Sequence, residues 1–565
     1  MNTEYKASGP RRHLEYPELT MYQMIERIAG QYPKAPAYEF YNKKTSYAAF
    51  LQKINRAAGA FTALGVKPND RITICMPNVP QALDAFYGIS RIGAVANMIH
   101  PLSAEKEIAY YLNVSESKWI LTLDMFYEKV KRALEQTDHP VKILTARIQD
   151  ELPALLKLPY TLKAGKPFMK YPLKDDILWS EQLKKTAKDI PIALYDTRHT
   201  AVILYSGGTT GMPKGICLSD LNFNACALQA KESIQGPLEP GLTMLSCMPI
   251  FHGFGLGINI HTILIHGGEC ILMPSFNIKS YSDMMRKKKP NYLAGVPTIF
   301  EALLHAEAIK DLDMSFLQGM FCGGDSLPVE LKRKVDAFLR EHHATIQIRE
   351  GYGLTECVTA SCLTPRDTYR ERSIGLPFPD TVYEIVRPDT DEVLPFGEIG
   401  EIVLKTPTMM LGYLNDPEAT AKTLRVRSDG DVWLYTGDLG HMDEDGYVYF
   451  TQRMTRMIIS NGYNIYPERL EGEIDTVPGV LLSCVIGVKD ERRGQRVKAY
   501  VVCEDGVEGN DELKKKIMDH LEKTVAKYAW PKEIVFRTEL PRTLVGKVAY
   551  HVLEEENEQK KEETV

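Results

Sequence analysis

Short apolar runs alternate with amphipathic stretches along most of this chain, and that alternation narrows the choice of fold more than any other feature. "RITICM" (71–76), "WILTL" (119–123), "CILM" (270–273) and "YLAGV" (292–296) are short and rich in β-formers. Between them, "PQALDAFYGISRIGA" (80–94) and "VELKRKVDAFLREH" (329–342) carry helical spacing. The pattern predicts βαβ units, hence an α/β fold with mostly parallel sheets flanked by helices. With 565 residues the chain exceeds what one core supports, so at least two domains are expected. After about residue 380 the texture changes to short strands joined by Gly/Asp turns, as in "YEIVRPDTDEVLPFGEIGEIVLKTP" (383–407). "VLLSCVIGV" (480–488), "VKAYVVCED" (497–505) and the helix-like 510–530 then return to mixed α and β. The predicted division is an N-terminal domain 1–455, with a small β subdomain at 380–455, and a smaller C-terminal α+β domain 456–565. The charged tail "EEENEQKKEETV" (554–565) reads as frayed.

Composition excludes several classes. The chain is 44% hydrophobic and 25% charged, ordinary for a globular protein, and its net charge of −6 supplies no general attraction for nucleic acid. "LDAFYGISRIGAVANMIHPL" (83–102) is the most apolar long stretch, but Asp84, Arg91 and His100 within it argue for a buried element over a membrane span. The first residues have no apolar segment after their charges, so no signal peptide is expected. Ten cysteines lie scattered without C-x-x-C pairs, which fits reduced thiols and a cytoplasmic enzyme. From Leu152 to Lys174, leucines and aromatics interleave with Lys157, Lys163, Lys166, Lys170 and Lys174. Two readings stand: lysine stems covering apolar neighbours, or peripheral contact with an anionic membrane surface through 152–174. Nothing in the sequence speaks to oligomeric state.

"YSGGTTGMPKG" (205–215) follows the strand-like "TAVILY" and precedes a stretch that becomes helical. Strand, Gly/Ser/Thr loop, lysine and helix form a recipe for holding phosphate oxygens. The loop is not G-x-x-x-x-G-K-[ST], since Pro213 precedes Lys214 and Gly215 follows it.

Further motifs follow in order: "MPIFHGFG" (248–255), "GYGLTE" (351–356), "YTGDLG" (435–440), "QRMTRMIISNGYNIYPERLE" (452–471) and "LPRTLVGKV" (540–548). With the glycine loop, this series resembles the successive motifs of the adenylate-forming (ANL) superfamily. "GVKPNDRITICMPN" (65–78) and "RIGAVANMIHPL" (91–102) add weaker matches. The resemblance implies that ATP and a carboxylic acid form an acyl-adenylate with release of pyrophosphate, and that a thiol then displaces AMP. ATP, Mg²⁺ and coenzyme A are the implied small molecules. Ser206, Gly207, Gly208, Thr209, Thr210, Gly211 and Lys214 would hold the departing phosphates. Tyr352, flanked by glycines including Gly353, would offer its ring to adenine, with Gly323, Gly324 and Asp325 of "FCGGDS" (321–326) beside it and the acyl group. Thr355 would donate to the α-phosphate and Glu356 would hold Mg²⁺. Asp438 would accept from the ribose hydroxyls, with Arg453 close by. Lys547 would lie between the substrate carboxylate and the α-phosphate, offsetting their repulsion. Arg456 marks the hinge about which relatives rotate a mobile C-terminal domain, and Gly462 would border the pantetheine tunnel.

His252 would stand beside the acyl-adenylate, where packing or gating is favoured over acid–base work. Gly255 and Gly257 after it predict open space along one wall, suited to a chain-like acyl group. Ser219, Thr455 and Tyr550 depart from the family's frequent His, Lys and basic residue, which puts hinge and CoA-phosphate contacts in question. The segment at 152–174 resembles that of long-chain fatty acyl-CoA synthetases, so a medium- or long-chain fatty acid is the first substrate reading. An aromatic or cyclic acid is the second. A standalone enzyme loading a carrier protein is the third, and an amino acid is disfavoured because "FHGFGLGINIHTIL" offers no carboxylate.

Overall fold

The computed structural model describes residues 13–163, 177–185, 187, 189–205, 213–460, 463–490, 494–504, 506–542 and 548–562. Two large sheets form its frame among those residues. One has nine strands; its centre runs Ile348–Tyr352, Gly319–Cys322, Tyr292–Gly295, Thr243–Ser246, Glu269–Leu272 and Pro36–Phe40, all parallel neighbours. The other has eight strands, with Val202–Tyr205, Val95–Met98, Arg71–Cys75, Trp119–Leu123, Lys142–Ala146 and Ile177–Leu178 in parallel register. The apolar runs of the sequence thus become parallel strands buried on both faces. Helices between the sheets are buried almost throughout: Pro80–Arg91 hides every residue except its final arginine. One continuous apolar core joins these layers from Met21 to Met410. No described helix is long and apolar enough to cross a membrane.

An antiparallel sheet follows, built on Val382–Val386, Gly400–Lys405, Val432–Met442 and Val448–Arg453. The turn Met454–Arg456 leads from it to a final sheet of Ile458–Ser460, Tyr463–Ile465, Val480–Asp490, Gly494–Cys503 and Glu533–Arg537. That sheet has its own core, with Leu470, Ile474, Val485, Val501 and Ile517 fully or nearly fully buried.

Two sequence expectations change here. The glycine-rich stretch does not lead straight into a helix. Gly215–Leu218 is a strand paired antiparallel with Val202–Tyr205. The helix Asp220–Ile234 begins only afterwards, where Ser219 accepts from Asn222 N at 3.3 Å as its cap. Ser219 therefore has a capping role of its own. The tail is not frayed throughout either, since Tyr550–Glu562 is helical. Leu553 is fully buried against Tyr500 and Ile486, and Asn557 accepts from Lys498 Nζ at 2.9 Å. The run of charges hid an apolar position and a satisfied amide.

Removing the buried Leu553 side chain (Leu553→Ala) is expected to destabilise the C-terminal sheet by about 2–4 kcal/mol. Hydrogen exchange of residues 480–503 reads this out, and unchanged protection would mean the terminal helix is a loose appendage.

Candidate active site

A cavity of about 1830 Å³ opens where the nine-stranded sheet, the antiparallel sheet and the C-terminal part meet. Tyr352 ends the strand Ile348–Tyr352, and the chain then folds back tightly. A Cβ on Gly353 would lie 1.5 Å from the carbonyl oxygen of Thr359, so only glycine fits. The returning loop presses on the segment around His252: a Cβ on Gly253 would lie 1.7 Å from the Val358 carbonyl oxygen. Val358 has φ +67°, a conformation that a β-branched residue holds only under constraint, and it is fully buried. The GYGLTE and FHGFG segments are thus locked together, backbone against backbone.

This loop carries Thr355 and Glu356, both lining the cavity. The Tyr413 hydroxyl donates to Glu356 Oε1 at 2.8 Å, and Lys214 Nζ lies 4.8 Å from the Tyr413 ring centroid. Tyr413 therefore brings the lysine of the glycine segment and the carboxylate of GYGLTE to one place. On the opposite wall Tyr352 donates its hydroxyl to Asp438 Oδ2 at 2.6 Å, and Arg453 Nε lies 3.4 Å from Asp438 Oδ1. Asp438 is 3% exposed. Burial holds the Tyr352 phenol well above its usual range, and Asp438 adds to it, so the hydroxyl remains a donor.

Gly323, Gly324 and Asp325 line the same cavity, with Gly324 at φ +82°. His252 lines it as well, and its Nδ1 accepts from Phe254 N at 3.2 Å, which leaves the Nε2–H tautomer for a neutral ring. Gly255 does not supply the open wall expected of it. A Cβ there would sit 2.0 Å from the Pro249 carbonyl oxygen, so its bareness serves close backbone packing. Gly257 likewise faces Val358 and Thr359. The side chains that reach the cavity from this segment are Phe254, Ile258 and Thr262, spaced along the π-helix Phe254–Thr262. Ser206, Gly207, Gly208, Thr209, Thr210, Gly211, Gly462 and Lys547 lie outside the described residues, although Arg542 and Val548 on either side of the Lys547 segment pair with each other and line the cavity.

Arg456 is set among partners from the C-terminal part. Its guanidinium pairs with Glu471, lies 3.6 Å from Glu468 Oε1, and stands over the Tyr550 ring at 4.7 Å. Glu468 in turn accepts from Ser326 Oγ at 3.5 Å across the crevice. Burial raises the Glu468 carboxyl well above its usual range; Arg456 lowers it, while Glu471, Asp325 and Asp438 raise it further.

These motifs agree with the comparisons to known proteins. Residues 25–414 match the family described as AMP-binding enzyme, and residues 469–547 match the AMP-binding enzyme C-terminal domain. The chain belongs to the AMP-binding enzyme family. This AMP-binding enzyme is 33% identical to the long-chain-fatty-acid–CoA ligase of Bacillus subtilis (strain 168) over 566 residues, covering 98% of each chain. It is 32% identical to the long-chain-fatty-acid–CoA ligase of Salmonella typhimurium, covering 95% of this chain and 94% of that one. Among solved structures, a Mycobacterium tuberculosis fatty acyl CoA synthetase superposes with a TM-score of 0.71 at 25% identity, covering 96% of this chain and 99% of that one. The anthranilate CoA ligase AuaEII gives 0.82 at 22% identity with 96% and 97% covered, a likeness of fold. The protein is an AMP-forming acid–CoA ligase with ATP and CoA as substrates.

Sequence reasoning missed Tyr413, whose only signal was "LGYLNDPE" (411–418) between two turns, and it missed Glu350. Glu350 lines the cavity beside Tyr352, accepts from Leu327 N at 2.9 Å, and is pushed up to about 7 by burial. A carboxyl raised in the fold binds its proton longer than in the unfolded chain. Its contribution to stability is therefore full below the ordinary value near 4.5 and is lost as pH rises through about 7. Glu350→Gln is expected to flatten the fall in melting temperature between pH 5 and 8, about 1.4 kcal/mol per pKa unit at most. Parallel melting curves of the two proteins across that range check this.

Proposed function

We propose that this ligase activates medium- or long-chain fatty acids, first as acyl-adenylates and then as acyl-CoA thioesters. The observation that carries the reading is the chemistry of one cavity wall. Ala230, Ile234, Met244, Ile258 and Phe378 line it without an ionised group among them. An extended hydrocarbon tail gains roughly 0.8 kcal/mol per methylene buried there. The fatty-acid substrates named for the Bacillus subtilis and Salmonella typhimurium relatives support the same reading. Exposed Leu155 (89%) and Leu162 (74%) on the helix Ala154–Lys163 support a membrane-surface contact there, where such acids partition.

In the proposed first step a carboxylate oxygen of the acid attacks the α-phosphorus of ATP and pyrophosphate leaves. Lys214, with Ser206, Gly207, Gly208, Thr209, Thr210 and Gly211, would hold the leaving phosphates, while Tyr352, Gly353, Gly323, Gly324 and Asp325 frame the adenine. Asp438 and Arg453 would take the ribose hydroxyls, an arrangement supported by an acceptor already held in place by Tyr352. Thr355 would donate to the α-phosphate. Glu356 fits a Mg²⁺ ion: it is a hard oxygen donor fixed by Tyr413, and among the described residues no cluster of three His, Cys, Asp or Glu gathers to hold an ion by protein alone. Bound there, the ion would neutralise polyphosphate charge. Lys547 would stabilise the meeting of two anions. His252 would gate the acyl entrance.

For the second step the thiol of CoA attacks the adenylate carbonyl and AMP departs, with Gly462 beside the arriving arm. The unit 456–565 would turn between the two steps. Arg453 pairs with Asp438 on one side, whereas the partners of Arg456 lie at Glu468, Glu471 and Tyr550 on the other. That division supports a pivot at 454–456.

The test is CoA-dependent AMP release across straight-chain acids from two to eighteen carbons, with benzoate and a bile acid alongside. A maximum at eight carbons or more is expected. A response only to ring acids, or acid-dependent pyrophosphate exchange without CoA-dependent turnover, would replace this reading with a cyclic-acid ligase or a carrier-loading enzyme. Lys547→Ala is expected to slow adenylation about 10²–10³-fold while sparing thioester formation from supplied acyl-adenylate. Equal loss in both assays would remove the assigned role.

A further inference from the structure

The apolar wall ends at a built stop. The helix Asp220–Ile234 runs beside the π-helix, tied to it by Asn224 and His261 at 2.9 Å, and both present side chains to the cavity. Phe254, Ile258 and Thr262, spaced four apart, form one row of cavity-lining side chains along the π-helix. The other helix adds to the lining Ala230, contributing a single methyl, and Ile234 one turn later. The helix ends there. Arg349, 4% exposed, donates to the last carbonyls of this helix, Nη1 to Ile234 O at 2.6 Å and Nη2 to Ser233 O at 2.7 Å, and its Nε reaches Thr364 O at 2.7 Å. The guanidinium lies 5.6 Å from the ring centroid of Phe321, which also lines the cavity, and Tyr292 stacks on Phe321 while donating to Pro237 O just past the helix end. Ile234 is thus held by a cationic clamp that turns away from the lumen and spends its donors on backbone.

We propose that this last helical turn sets the length of acid the enzyme accepts: Ala230 leaves room for the chain to pass, and Ile234, fixed by Arg349, ends the channel. The inference rests on the fatty-acid reading given above. Ala230 and Ile234 stand about 6 Å apart along the helix, roughly five methylenes of an extended zigzag chain, whose ~1.5 Å bonds advance about 1.25 Å each. Filling the lumen at Ala230 should therefore exclude about five carbons. Each methylene denied burial weakens binding about fourfold.

The experiment measures kcat/KM for octanoate, dodecanoate and hexadecanoate with the full-length enzyme, Ala230→Phe and Ile234→Ala. In Ala230→Phe the hexadecanoate-to-octanoate ratio should fall at least tenfold, with the optimum moving to shorter acids. In Ile234→Ala the ratio should rise and the optimum move to longer ones. An unchanged ratio in either folded variant, or an equal fall for all three acids, overturns the proposal. If Ala230→Phe does not fold, Ile234→Ala decides alone by the same criterion. A wild-type enzyme inactive on every straight-chain acid would instead remove the fatty-acid reading, so the two failures are told apart.

Discussion

The site depends on two backbone contacts. The carbonyl of Val358 lies where a side chain on Gly253 would have to be, and the carbonyl of Thr359 lies where one on Gly353 would have to be. Two glycines and one valine at positive φ hold the loop of Thr355 and Glu356 against the segment of His252. Neither contact leaves a tenth of an ångström for a methyl group. A packed interior cannot absorb such a change by flowing around it, so these glycines define the distance between the segment of Glu356 and the segment of His252.

Charge is distributed around that fixed point in pairs that use aromatic hydroxyls as intermediaries. Tyr413 joins Lys214 to Glu356, and Tyr352 reaches Asp438. The carboxylates are thus oriented by neutral donors, and their negative charge remains to meet a cation or a diol. At the junction, burial first and then Glu471, Asp325 and Asp438 raise the proton affinity of Glu468, while Arg456 lowers it. Acidic groups from two parts of the chain are brought together there, and burial with these neighbours favours the protonated Glu468.

Much of this was legible in the sequence. The βαβ alternation followed from residue types alone, because strands buried on both faces must be apolar throughout and the helices between them must be striped. The motif order gave the family, now shown by the match over residues 25–414. What could not be read was what each glycine faces. A Gly255 that opens space for a ligand and a Gly255 that admits a neighbouring carbonyl look alike in one dimension, and the structure shows the second. The same holds for the antiparallel pair of Val202–Tyr205 and Gly215–Leu218, where "ICL" is too short for periodicity to separate a strand from a helical start. Tyr413 was invisible because its importance comes entirely from where a distant turn places it.

The cavity walls come from separate stretches of chain. In the proposed reading the nucleotide-facing groups lie on 351–356 and 436–453 and the acyl wall on 230–263, and all of these stretches line the cavity. The strand Ile348–Tyr352 touches both, presenting Tyr352 to one and backing the other with Arg349. Substitutions more than about 7–10 Å apart that share no partner combine nearly additively, whereas those at the Gly253–Val358 contact should couple. If the helix Asp220–Ile234 sets acid length as proposed, a lineage carrying this fold drifts from one acid to another through changes on that helix while keeping adenylation, which would make selectivity the freely evolvable half of the enzyme and the phosphate chemistry the inherited half.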